Sequence, residues 1–218
     1  MSEIYVDGKP GLVKNAVVYD MKESCVASRY PMTVDKVTYG RPINELTARL
    51  GSTPIGCGED NFLNGIRVAF DLTLSNKAWV EMERYHFMDF VSSQSTMHKI
   101  LQFDLDEQCN NFVDRRVIDV LKEKIAEYKR LEALPKDTGT DALYRRTDKM
   151  KELYLEILYN IPSGFRLTAR MTTNYRQLKT IYYQRKNHRL PEWREFCKWV
   201  ETLPRFKEMV LGEKNEPA

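Results

Sequence analysis

The stretch Asn174–Phe196, NYRQLKTIYYQRKNHRLPEWREF, sets cations, amides and a histidine between aromatic residues. Thr173 or Asn174 is a helix N-cap, and Gln177 follows Asn174 by three residues as in a capping box. At about 100° of rotation per residue, Asn174, Gln177, Leu178, Ile181, Arg185 and His188 then share one broad stripe, with Arg176 and Tyr183 on the opposite side. A face with apolar residues in its middle and an amide, a guanidinium and an imidazole at its ends can line a pocket. It can equally let its long cations lie over the rim of the core.

Beyond Arg189, Pro191 suits the first turn of a helix whose apolar stripe is Trp193, Phe196, Cys197 and Val200, with Pro204 as its stop. The clearest strand is GIRVAFDLTL at 65–74, where Ile66, Val68, Phe70, Leu72 and Leu74 alternate with Arg67, Ala69, Asp71 and Thr73. Ser75 and Asn76 can cap a helix through KAWVEMERYHFMDF that ends near the polar run SSQSTMHK. Val117, Leu121, Ile125 and Tyr128, then Met150, Leu153 and Ile157, predict an antiparallel helix pair joined by a loop at Pro135–Asp141. EIYV and NAVVYD give weaker strands, and a short helix follows Pro42. The reading is α+β: one domain over residues 1–218 with a mixed or antiparallel sheet and packed helices.

A net charge of +3 is too small to argue for nucleic acid by itself. The four cysteines form no C-x-x-C pair, which favours a reducing cytoplasm over a disulfide framework, and no metal site is expected. The N-terminus lacks a secretory pattern and no apolar run is long enough for a bilayer, so the expectation is a cytoplasmic protein without a membrane partner. Gly-rich phosphate loops, G-x-S-x-G elbows and H-E-x-x-H helices are absent from the sequence. FVSSQSTMHKI at 90–100 crowds hydroxyls around His98 and Lys99. It reads either as a helix junction or as an anion cradle for a phosphate.

TTNYRQLKTIYYQRKNHRLPEWR resembles the C-terminal motif of the flavin-dependent thymidylate synthases, in which Asn-x-Arg-x-Leu opens a helix and an Arg, a His and a Glu follow. Asn174, Arg176, Leu178, Arg185, His188 and Glu192 match that order, and IPSGFRLTARMTTN is similar to the family's approach to the helix. GCGEDNFLN at 56–64 resembles G-H-E-T-P-F-E-H, keeping Glu59 and Phe62 without the histidines. The R-H-R-x-x-S-x-N-x-x-S-x-R-Y signature has two registers here, one placing Arg84, Tyr85 and His86 on R-H-R, the other placing Gln94, Thr96 and His98 on its later positions. The pattern is similar to a divergent bacteriophage and bacterial branch.

The resemblance implies a homotetramer with FAD and dUMP, taking carbon from methylenetetrahydrofolate and electrons from NADPH. It implies dTMP formation, or hydroxymethylation of a pyrimidine nucleotide such as dCMP. Arg185 would be the catalytic group at the nucleotide. Asn174, Arg176, His188, Arg84 and His86 would meet the flavin, and Ser93, Gln94, Thr96 and His98 would hold the nucleotide phosphate. Two other functions remain open: an inactive nucleotide-binding homologue, and a nucleic-acid binder using Arg176, Lys179, Arg185, Lys186 and Arg189 with Tyr175, Tyr182 and Tyr183.

Overall fold

The computed structural model describes residues 3–34, 43–86, 88–134 and 140–213, the side chains of 140–144 excepted. Backbone packing divides the chain into two compact units. One comprises Met1–Thr73, Glu81–Ser92 and Thr168–Ala218, the other Leu74–Val80 and Ser93–Leu167.

In chain order the elements are β1 (Glu3–Val6), β2 (Val13–Tyr19), α1 (Met21–Ala27), α2 (Glu45–Gly51), β3 (Arg67–Ser75), α3 (Asn76–Met82), β4 (Asp89–Ser93), α4 (Thr96–Lys99), α5 (Leu105–Gln108), α6 (Arg115–Glu132), α7 (Thr140–Tyr159), β5 (Arg166–Asn174), α8 (Tyr175–Arg185) and α9 (Pro191–Val200). The fold class is α+β as expected, around an antiparallel sheet in the order β1-β2-β3-β5-β4.

The alternation in β3 sorts its faces as the sequence requires: Ile66, Val68, Phe70, Leu72 and Leu74 are all buried. On that face the Phe70 ring meets Trp199 at 5.0 Å and Phe196 at 5.9 Å, which seats α9 against the sheet. The opposite face is polar and keeps one register across β3 and β5. Thr73 Oγ1 meets Thr168 Oγ1 at 2.8 Å, Arg170 pairs with Asp71 at 3.2 Å, and the Tyr175 N–H reaches the Ile66 carbonyl at 3.0 Å. The same register sets Arg67 opposite Asn174. On its other side Arg67 lies opposite Tyr19 of β2. A bulge in β2 between Lys14 and Val17 puts Asn15 at φ 50, from where its amide donates to Asp71 at 2.6 Å.

The second unit holds the expected helix pair. Leu121, Ile125, Leu153 and Ile157 are buried with Ile118, Ile100 and Phe165. Val117 was expected in that stripe but is 41% exposed, because Ile118, one residue on, takes the inward position. Residues 135–139 of the linking loop lie outside the described residues.

Two expected boundaries move. The Ser75 hydroxyl caps α3 by accepting from the Ala78 N–H at 3.3 Å, but α3 stops at Met82 and leaves Arg84, Tyr85 and His86 beyond it. The polar run is a strand followed by a single helical turn, because Phe90–Ser93 join the sheet as the end of its edge strand β4. Among the described residues no helix is long and apolar enough to cross a membrane.

Candidate active site

Helix α8 begins as its sequence predicts: the Asn174 Oδ1 accepts from the Gln177 N–H at 2.9 Å. That bond uses the amide oxygen and leaves the Asn174 Nδ2 to donate elsewhere. The inward stripe differs from the expected one, since Tyr175, Leu178, Lys179, Ile181 and Tyr182 are the buried residues of the helix. Lys179 is 1% exposed. Its ammonium donates to the Gly51 carbonyl at 2.8 Å, the Thr53 carbonyl at 2.6 Å and the Asp60 Oδ2 at 2.7 Å, which satisfies all three of its donors.

The buried Asp60 carboxylate also takes the Arg176 Nε on Oδ1 at 3.0 Å. One carboxylate therefore neutralises a closed cation and an open one, and it ties the loop before β3 to α8. Gly56 at φ 96 and Gly58 at φ 82 let that loop bend there, in conformations side chains rarely adopt. The residues of GCGEDNFLN thus matter here through Asp60 and two glycines.

Two hollows share Asn64 and Asn174 as a common wall. The larger, about 510 Å³, lies at the end of the sheet and is lined by Tyr19, Asp20, Arg67, Asp89, Thr172 and neighbours. The smaller, about 210 Å³, lies under Arg176 with Gly56, Gln177 and Thr180. Asp20 is left-handed at φ 57, where the chain leaves β2 for α1.

At the other end of α8, Arg185 enters a compact cluster. Its Nε donates to the Tyr85 hydroxyl at 2.7 Å and its Nη1 to the Glu81 Oε2 at 3.3 Å, while its guanidinium lies 4.9 Å from the Trp193 ring centre. The same Glu81 oxygen accepts from the Trp193 Nε1 at 3.2 Å and stands 3.3 Å from the His188 Nε2. His188 Nδ1 accepts the Leu190 N–H at 3.2 Å, so the ring hydrogen that faces Glu81 is on Nε2. The Arg185 Nη2 is the part of that guanidinium with no bond among the described residues.

The expected site residues therefore separate. Asn174 and Arg176 line hollows, Arg185 and His188 meet at Glu81, and Arg84 and His86 are exposed on the turn after α3. Ser93 ends β4 and is exposed; Gln94 and His98 are exposed as well, Thr96 is half-buried at the start of α4, and all four belong to the second unit. The nucleic-acid surface loses Tyr175 and Lys179 to the core, and Tyr182 is buried too, with its hydroxyl donating to Glu201 at 2.7 Å. Sequence reading missed Asp60, Glu81 and Arg67. Only Arg67 carried a local signal, as an outward residue of an alternating strand.

The sequence matches no family model and none of the curated proteins. Solved structures do match. The chain is similar to the flavin-dependent thymidylate synthase ThyX of Helicobacter pylori complexed with FAD and dUMP, at a TM-score of 0.62 and 15% identity over 95% of this chain and 96% of that one. It is also similar to a second structure of thymidylate synthase X from Helicobacter pylori with FAD and dUMP, at a TM-score of 0.57 and 17% identity over 90% and 94% of the two chains.

The fold is that of the flavin-dependent thymidylate synthases. Within the synthase fold, Asn174 and Arg176, whose Nδ2 and outer guanidinium nitrogens have no bond among the described residues, border two hollows meeting at one wall, and such a divided, polar concavity fits a two-ended, phosphate-bearing ligand such as FAD. Arg185 and His188 are already engaged with Glu81 and contribute less to that fit.

Proposed function

We propose that this chain is a flavin-dependent pyrimidine nucleotide C5 one-carbon transferase, working as a single synthase-like domain and assembling as a homotetramer in the cytoplasm. The observation that carries the reading is the pair of hollows around Asn64 and Asn174, in a fold shared with synthases solved with FAD and dUMP. FAD, when bound, supplies the two-electron redox step. Asn174 would hold it through Nδ2 and Arg176 through the guanidinium nitrogens that Asp60 leaves free, with His188, Arg84 and His86 as further contacts. Arg185 would present Nη2 to the nucleotide, its plane fixed by Tyr85 and Glu81, and a fixed guanidinium stabilises negative charge on an oxygen of the pyrimidine or the phosphate. Ser93, Gln94, Thr96 and His98 are the proposed further nucleotide contacts. The acceptor is dUMP, with dCMP as the alternative substrate, methylenetetrahydrofolate as the carbon donor and NADPH as the reductant.

An absorbance spectrum tests the reading directly. Protein purified yellow, or taking up FAD in a spectral titration with dUMP or dCMP present, supports it; colourless protein that takes up none refutes it. A second reading, a nucleotide-binding homologue without turnover, is favoured by one observation: both nitrogens of His188 and two of the three Arg185 nitrogens are already bonded inside the chain. Tight dUMP binding without product under folate and NADPH would select it.

A further inference from the structure

Two of the arginines on the polar face of the sheet are in different states. Arg170 is compensated: it pairs with Asp71 at 3.2 Å and donates to the Asn15 carbonyl at 2.8 Å. The guanidinium of Arg67, further along β3 on the same face, makes no ion pair or hydrogen bond among the described residues. Yet Asp20 and Asp89 line the same 510 Å³ cavity, and neither carboxylate has a side-chain partner among those residues. A cavity that keeps charges of both signs apart suits a ligand that brings its own counter-groups. The required ligand has an anion for Arg67 and an N–H donor for a carboxylate, and a pyrimidine nucleotide has both. Register places Asn174, at the wall shared with the smaller hollow, across from Arg67.

We propose that Arg67 anchors a ligand phosphate in the sheet-end cavity, and that Asp89 accepts an N–H of the attached base. This deepens the functional reading above and rests on it. The phosphate comes from the pyrimidine nucleotide or from the flavin dinucleotide, and titrating each alone separates the two sources.

The test measures dUMP, deoxyribose 5-phosphate and FAD binding by calorimetry on wild-type protein and on Arg67→Ala, Arg67→Lys and Asp89→Asn. Loss of a charged hydrogen bond of this kind weakens binding by about tenfold to a hundredfold. Arg67→Ala is expected to weaken dUMP and deoxyribose 5-phosphate by that factor while FAD uptake stays at the wild-type level, with Arg67→Lys recovering part of the loss. The opposite pattern, FAD weakened and dUMP unchanged, assigns the phosphate to the flavin and keeps the anchor. Asp89→Asn should weaken dUMP but leave deoxyribose 5-phosphate, which has no base, unaffected. Wild-type affinities for all three ligands in Arg67→Ala overturn the proposal and leave the flavin reading standing. Wild-type protein that binds FAD but neither phosphate ligand, with Arg67→Ala still taking up FAD normally, also overturns it, and binding of none of the three overturns both.

Discussion

Lys179→Met removes the most enclosed cation among the described residues while keeping most of its stem. The substitution deletes three hydrogen bonds, leaves the Gly51 and Thr53 carbonyls without their donor, and reduces Asp60 to its contact with Arg176. Removing one member of a buried ion pair costs about 3–5 kcal/mol. Because Arg176 still neutralises Asp60, the lower end applies, about 3 kcal/mol. For a chain of this size each kcal/mol lowers Tm by about 2–4 °C, so the expected fall is roughly 6–12 °C. Thermal melting followed by circular dichroism measures it, with the exposed Lys129→Met as control, expected within about 0.5 kcal/mol of wild type. The double variant Asp60→Leu with Lys179→Met removes the stranded charge and should lose less than the sum of the two single variants. A Lys179→Met protein melting within about 2 °C of wild type would refute the assignment of Lys179 and Asp60 as the tie between α8 and the preceding loop.

Glu81→Ala strips the shared acceptor from Arg185, His188 and Trp193 and should destabilise by about 2–4 kcal/mol, with a shift in Trp193 emission that Glu83→Ala does not reproduce. Of the four thiols only Cys57 is exposed, so an aromatic disulfide reagent should label one in the native state and four after denaturation. Burial pushes the Cys25 and Cys197 thiols up to about 12 from 9.0, so the folded state keeps protons that the unfolded state releases. The stability held by these thiols is fully present below pH 9.0 and falls as pH rises toward about 12, which urea melts across that window would show.

What the sequence made legible is what local periodicity controls. The alternation in β3, the Asn174 cap and the α9 stripe each depend on neighbours a few residues away, and each formed as read. Strand β5 has the same period, but two of its four inward positions are Ala169 and Thr173, one small and one polar, so Leu167 and Met171 alone do not stand out beside the arginines and threonines between them. Lys179 read as one more cation of a basic helix. Its burial is decided by two carbonyls and a carboxylate more than a hundred positions upstream, which no window along the chain contains. Arg185 and His188 were correctly placed near one another, but Glu81, which engages both, sits on a different helix and gave no signal of its own.

The charge distribution around α8 follows from how two carboxylates divide its cations. Asp60 is fully enclosed, so it fixes Lys179 completely and holds Arg176 by one nitrogen only. Glu81 is partly open and spends a single oxygen on three donors, which leaves Arg185 with one free nitrogen and His188 with none. Unsatisfied donor capacity is therefore concentrated toward the start of the helix, at Asn174 and Arg176, and across the register at Arg67. A ligand that brings negative charge to this unit gains most where those donors converge, since every donor it meets there is released from water rather than taken from an existing partner. At the Arg185 end it would have to compete with Glu81. On that ground, removing Arg176 or Arg67 should cost more ligand affinity than removing Arg185, and a ranking by calorimetry with Arg185→Ala as the most damaging variant would overturn this ordering.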